Sequence, residues 1–106
     1  MELDYATMIQ RIKDNVHEVD PAAEVWIYGS RARKEAHADS DWDVLVLSPK
    51  DNLTFSEEEH FMDNICTLMV ETGQAIHLFA YSKKDWHTRH SITPFYQNVN
   101  SEAVRL

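Results

Sequence analysis

Three short apolar runs restrict this chain more than any other feature: AEVWIY at 23–28, DWDVLVL at 41–47 and AIHLFAY at 75–81. Each is rich in β-branched and aromatic residues and is bounded by Pro, Gly or Ser, which reads as a strand and not as a helix. The stretches around them carry helical periodicity instead. From residue 3 to about 19, Leu3, Met8, Ile9, Ile12, Val16 and Val19 recur at three- and four-residue spacing, and Asp20-Pro21 ends the pattern. A second helix is expected over about 57–72, opened by a capping box at Ser56 and Glu59 and stopped by Gly73. Ser82 and Asp85 cap a short helix carrying Trp86, and Thr93-Pro94 begins the last one. The order is helix, strand, turn, strand, helix, strand, helix, helix. It predicts one α/β (α+β) domain over 1–106, a small mixed sheet of about three strands with helices packed on it.

A chain of 106 residues supports one modest core, and 43% apolar residues with three Trp make disorder a poor reading. Two Gly and three Pro leave no room for a flexible linker. No apolar run reaches the roughly 20 residues of a membrane span, so no membrane partner is expected. The start, MELDYATMIQ, lacks the pattern of a secretory signal, and one cysteine fits a reducing compartment; both point to the cytoplasm. A net charge of −8 argues against DNA or any generic nucleic-acid partner, whose affinity comes from Lys and Arg on phosphates. A phosphate-bearing small ligand stays open, given one basic spot or a bridging cation.

The stretch YGSRARKEAHADSDWDVLVL, 28–47, supplies both. Gly29 allows a phosphate close to the backbone, and Ser30 offers a hydroxyl and an amide at the start of a helical turn that Ser30 itself caps, through Arg33. Arg31, Arg33 and Lys34 are three of the ten basic residues. Asp41 and Asp43 alternate on a strand, so their carboxylates share one face, with Cα atoms about 6.5 Å apart, while Trp42, Val44 and Val46 take the other. Two such carboxylates suit magnesium, whose shell phosphate oxygens and water complete. The plain alternative is a polar turn at Asp39, Ser40 and Asp41 with Asp43 on the surface; the basic glycine turn upstream favours the clamp.

Gly-Ser, Ala-Arg, then Ser-Asp-x-Asp and an apolar strand resembles the signature of the minimal nucleotidyltransferase family of the DNA polymerase β superfamily. The helix before it, the third strand and the tail TPFYQNVNSEAVRL follow the family's order as well. The resemblance implies that Gly29 and Ser30, with Arg33, bind a nucleoside triphosphate. Asp41 and Asp43 would hold Mg2+, and a nucleoside monophosphate would pass to a hydroxyl with loss of pyrophosphate. It also implies a context, because small members are often encoded beside a helical HEPN-type partner that they modify as antitoxins.

Two departures stand out. Lys34 replaces the family's glycine. On the third strand, where the family carries a third carboxylate, QAIHLFAY has His77, either a neutral base or a half-buried structural histidine; Glu71 is the nearest other carboxylate. An enzyme acting on a partner chain or across a homo-oligomer is one reading. A binding subunit that kept the fold and lost the chemistry is the other. His87 and His90 read as a solvated helix face more than a zinc site, Cys66 as a small packed side chain, and Trp86, Phe95 and Tyr96 as core or interface.

Overall fold

The computed structural model describes residues 4–37 and 40–106; Leu3 and Asp39 lie outside them. The first helix, α1 (Tyr5–Val19), starts at Asp4, whose carboxylate accepts the Thr7 amide at 2.7 Å. It buries Met8, Ile12 and Val16, one residue per turn along one face. Asp20 ends it in an extended conformation, as the following proline requires.

Next come β1 (Glu24–Tyr28), a single turn α2 (Ser30–Arg33), β2 (Trp42–Ser48), α3 (Phe55–Thr72) and β3 (Ile76–Ser82). The chain finishes with α4 (Lys83–Thr88), α5 (Pro94–Glu102) and β4 (Val104–Arg105). The sheet order is β3-β2-β1-β4. β1 runs antiparallel to β2 and to β4, whereas β2 and β3 are parallel, with α3 as the crossover that a parallel pair needs. The expected mixed sheet is present with four strands, the fourth being the short β4.

Both faces of the sheet are covered. Val25, Ile27, Trp42, Val44, Val46, Ile76 and Leu78 pack with Met8, Ile12 and Val16 of α1 and with Phe61, Ile65 and Leu68 of α3. On the opposite face Tyr28, Leu45 and Leu47 meet Trp86 and Val99, with Phe95 and Tyr96 against them. Strand alternation therefore sends Trp42 and Val44 into the first core and leaves Asp43, between them, on the α4/α5 side.

Several local expectations change. The capping box of α3 is Thr54 with Glu57, two residues earlier than Ser56 and Glu59. Lys50 favours this earlier start by bonding Glu57 at 2.5 Å. Ser30 is the first residue of α2, and Gly29 stands at the cap with no side-chain bond. Cys66 is exposed, because Ile65 and Leu68 take the buried side of α3. His87 and His90 are held by aromatic neighbours: His87 Nδ1 lies 2.9 Å from the Tyr96 hydroxyl, and the His90 ring is 4.6 Å from that of Tyr81. Among the described residues, no helix is long and apolar enough to cross a membrane.

Candidate nucleotide and metal site

Gly29 turns the chain from β1 into α2 with φ 73° and ψ −157°, a combination that glycine alone adopts comfortably. A Cβ there would lie 2.3 Å from Oδ2 of Asp43. Backbone and carboxylate thus approach as closely as a missing side chain allows. The approach follows from register, since Tyr28, the last residue of β1, pairs with Asp43. α2 ends at Lys34 with φ 59° and ψ 32°, the left-handed conformation, and its amide donates to the Ser30 carbonyl. That geometry gives a physical reason for the glycine of the family signature: Lys34 adopts it at a cost of about 1–2 kcal/mol.

The three cations of the turn have separate tasks. The Arg31 guanidinium lies 4.2 Å over the Trp42 ring and donates to the Ser40 carbonyl at 2.7 Å, tying α2 to the approach of β2. Arg33 donates to Glu35 at 3.0 Å and to Glu102 at 2.7 Å. Lys34 serves the left-handed turn.

Asp41 and Asp43 flank Trp42, whose burial fixes both directions. Asp41 is the more exposed, its side chain 46% accessible against 27% for Asp43. His77 pairs in register with Asp43 across the parallel ladder and places its ring between the two carboxylates. Its Nε2 is 3.3 Å from Asp41 Oδ2 and its Nδ1 3.9 Å from Asp43 Oδ1. The His77 side chain is 61% exposed, which replaces the half-buried setting expected for it.

Burial pushes the Asp43 carboxyl above the ordinary carboxylate range; His77 opposes the shift, and the negative charges of Asp41 and Glu102 add to it. Burial, with the Asp43 charge behind it, likewise raises the Tyr28 phenol. A carboxyl kept from ionising mainly by burial, with anionic neighbours adding to the effect, is what a bound cation would relieve. Among the described residues no group of three His, Cys, Asp or Glu side chains is arranged to hold a metal. The donor set is therefore a pair of carboxylates. That fits magnesium, which takes one or two carboxylates and completes its shell with phosphate and water.

Glu71 does not reach this site; it pairs with Arg11 of α1. The carboxylate that does reach it is Glu102, which sequence reasoning overlooked. Its Oε1 accepts the Gly29 amide at 3.1 Å and its Oε2 the Arg33 guanidinium. One signal pointed to it: Glu102 is the last residue of α5, where an acid faces the negative end of the helix dipole and so needs partners from elsewhere.

Comparison with known proteins bears on the family and the fold. The family model described as polymerase beta, nucleotidyltransferase matches residues 10–98. No curated protein matches the sequence significantly. A solved structure named for a minimal nucleotidyltransferase is similar at 22% identity and TM-score 0.65, over 98% of this chain and 97% of that one. A toxin-antitoxin structure with AMP-PNP is similar at 18% identity and TM-score 0.59, over 97% of this chain and 72% of that one. A mutant of the toxin-antitoxin MntA-HpeT is similar at 20% identity and TM-score 0.58, over 98% of this chain and 72% of that one. At these identities the structural likeness concerns the fold, whereas the family match extends over most of the sequence. The chain belongs to the polymerase β nucleotidyltransferase family and has the fold of its minimal members.

Proposed function

We propose that this protein is a magnesium-dependent nucleotidyltransferase that passes a nucleoside monophosphate from a nucleoside triphosphate to a hydroxyl of a partner protein. The observation that carries the reading is the contact of two half-sites. The Gly29 backbone, with its amide and the Arg33 guanidinium as donors, abuts the Asp43 carboxylate with no side chain between. Phosphate donors on one side and a carboxylate pair on the other suit a metal-bridged triphosphate in a protein of net charge −8.

In this reading the Gly29 amide, the Ser30 hydroxyl and Arg33 hold the terminal phosphates and fix the direction in which pyrophosphate leaves. Asp41 and Asp43 would hold the Mg2+, which when bound neutralises charge developing on the phosphates. The acceptor hydroxyl oxygen bonds to the α-phosphorus as the bond to the bridging oxygen breaks, and pyrophosphate carries away the electron pair. His77, exposed beside both aspartates, takes the hydroxyl proton on a ring nitrogen, the work that a third carboxylate does in the family signature.

The partner is inferred from the toxin-antitoxin relatives: this chain would be the antitoxin, and a helical HEPN-type protein its target. Exposed Phe55, Met62 and Phe79 beside Glu58 and Glu59 provide a face for protein contact. A second reading, a fold-only subunit acting by contact, draws on His77 standing in place of a carboxylate. Calorimetry with ATP, with and without magnesium, tests the proposal. Binding is expected with magnesium and should disappear in Asp41→Asn/Asp43→Asn. Equal binding by wild type and double variant would remove the clamp.

A further inference from the structure

Glu102 makes a contact that the proposed chemistry does not use. One carboxylate bridges a backbone amide and a guanidinium, with Oε1 on Gly29 N at 3.1 Å and Oε2 on Arg33 Nη1 at 2.7 Å. A phosphate group is recognised by the same kind of donor pair, two oxygens of one anion on an amide and an arginine. We infer that Glu102 is a built-in competitor at this site: its carboxylate holds the seat of the terminal phosphate, and a ligand bearing that phosphate has to displace it. The inference rests on the nucleotide-binding reading above and adds to it a residue that holds triphosphate affinity down while leaving monophosphate affinity alone.

Three features make Glu102 a replaceable occupant. The ion pair is partly open to solvent, with side chains 45% exposed at Arg33 and 23% at Glu102, and such pairs contribute little net stability. Glu102 carries a single negative charge, whereas a terminal phosphate carries about two. At the end of α5 the helix dipole also works against an anion, so the donors on Gly29 and Arg33 hold Glu102 in place against the helix's own preference. A nucleoside monophosphate placed with its base outward leaves the terminal seat unfilled. It therefore gains nothing from removing the carboxylate.

A purely structural pin between α5 and α2 makes the opposite forecast, since loosening it would weaken every ligand. The two are separated by calorimetry in magnesium with ATP, inorganic tripolyphosphate and AMP on wild type, Glu102→Ala and Glu102→Gln, each first checked for a native melting transition. Glu102→Ala should bind ATP and tripolyphosphate about tenfold tighter than wild type, the scale of one charge-assisted hydrogen bond, with AMP unchanged. Glu102→Gln should lie between, because its amide oxygen still accepts from Gly29 but no longer pairs with Arg33. Should Glu102→Ala bind ATP no tighter, or gain equally for AMP, the inference is overturned while the nucleotide reading stands. If wild type and both variants bind none of the three ligands, the nucleotide reading fails, and this inference with it.

Discussion

Replacing Gly29 by alanine tests the closeness on which the site depends. Two costs follow from the structure. At φ 73° and ψ −157° an L-residue occupies a region that only glycine populates freely, which costs about 1–3 kcal/mol. The new Cβ would also stand 2.3 Å from Asp43 Oδ2, with Cγ at 3.3 Å and Cβ at 3.6 Å, so the carboxylate has to rotate away. Forcing a side chain off its rotamer adds about 0.5–1.5 kcal/mol. Gly29→Ala should therefore lose about 1.5–4.5 kcal/mol in urea unfolding, a large share of what a domain of this size possesses. The second cost disappears when Asp43 is shortened, so the same substitution in an Asp43→Ala background should lose only the backbone part. The double-mutant cycle would give a coupling of about 0.5–1.5 kcal/mol. A loss below about 0.5 kcal/mol for Gly29→Ala would refute the strain argument. Equal losses in the two backgrounds would refute the close approach, and with it the contact between phosphate turn and carboxylate pair.

Asp43→Asn should raise the melting temperature of the metal-free protein by about 2–5 °C. The folded state raises the Asp43 carboxyl, so that group's stabilisation is complete only below the unfolded value and is lost as pH rises through the folded one; near neutrality its full penalty is present, and a neutral isostere removes it. A lower melting temperature near pH 7.5 would contradict this. His77→Asp sets a third carboxylate beside the pair, and should lower stability without magnesium while tightening magnesium binding about tenfold, the effect of one added charged ligand. Titrations showing no gain from pH 6 to 8.5 would turn His77 away from the metal. Lys34→Gly should stabilise by about 0.5–1 kcal/mol, because release of left-handed strain exceeds the entropy added to the unfolded chain; a destabilised variant would mean that the lysine side chain is itself engaged.

Much of this arrangement was legible because it is local. Alternation in DWDVLVL places Trp42 and Val44 in one core and Asp43 on the other side, and the β-branched runs mark all three long strands. Helix ends were less certain where two signals overlap. TFSEEE contains two possible capping boxes, and the exposure of Phe55 removes the apolar cue that would separate them; a lysine seven residues before Glu57 sides with the earlier one. What could not be read is what comes from afar. β4 is two residues long and exists through pairing with Trp26 and Ile27, at the other end of the chain. Glu102 reaches Gly29 across 73 positions, and no periodicity encodes that meeting. The family resemblance sets His77 on the third strand at the place of a carboxylate, but its exposure depends on β3 lying at the edge of the sheet, a matter of topology.

The central claim concerns which phosphorus is attacked, and label position answers that directly. The protein is incubated with magnesium, a helical candidate partner and ATP labelled either at the α- or at the γ-phosphorus, followed by mass analysis of the partner. Nucleotidyl transfer predicts that α-label enters the partner, γ-label does not, and incorporation disappears in Asp41→Asn/Asp43→Asn. Incorporation of γ-label would mean phosphoryl transfer, and α-label that persists in the double variant would deny Asp41 and Asp43 their role; either result contradicts the account.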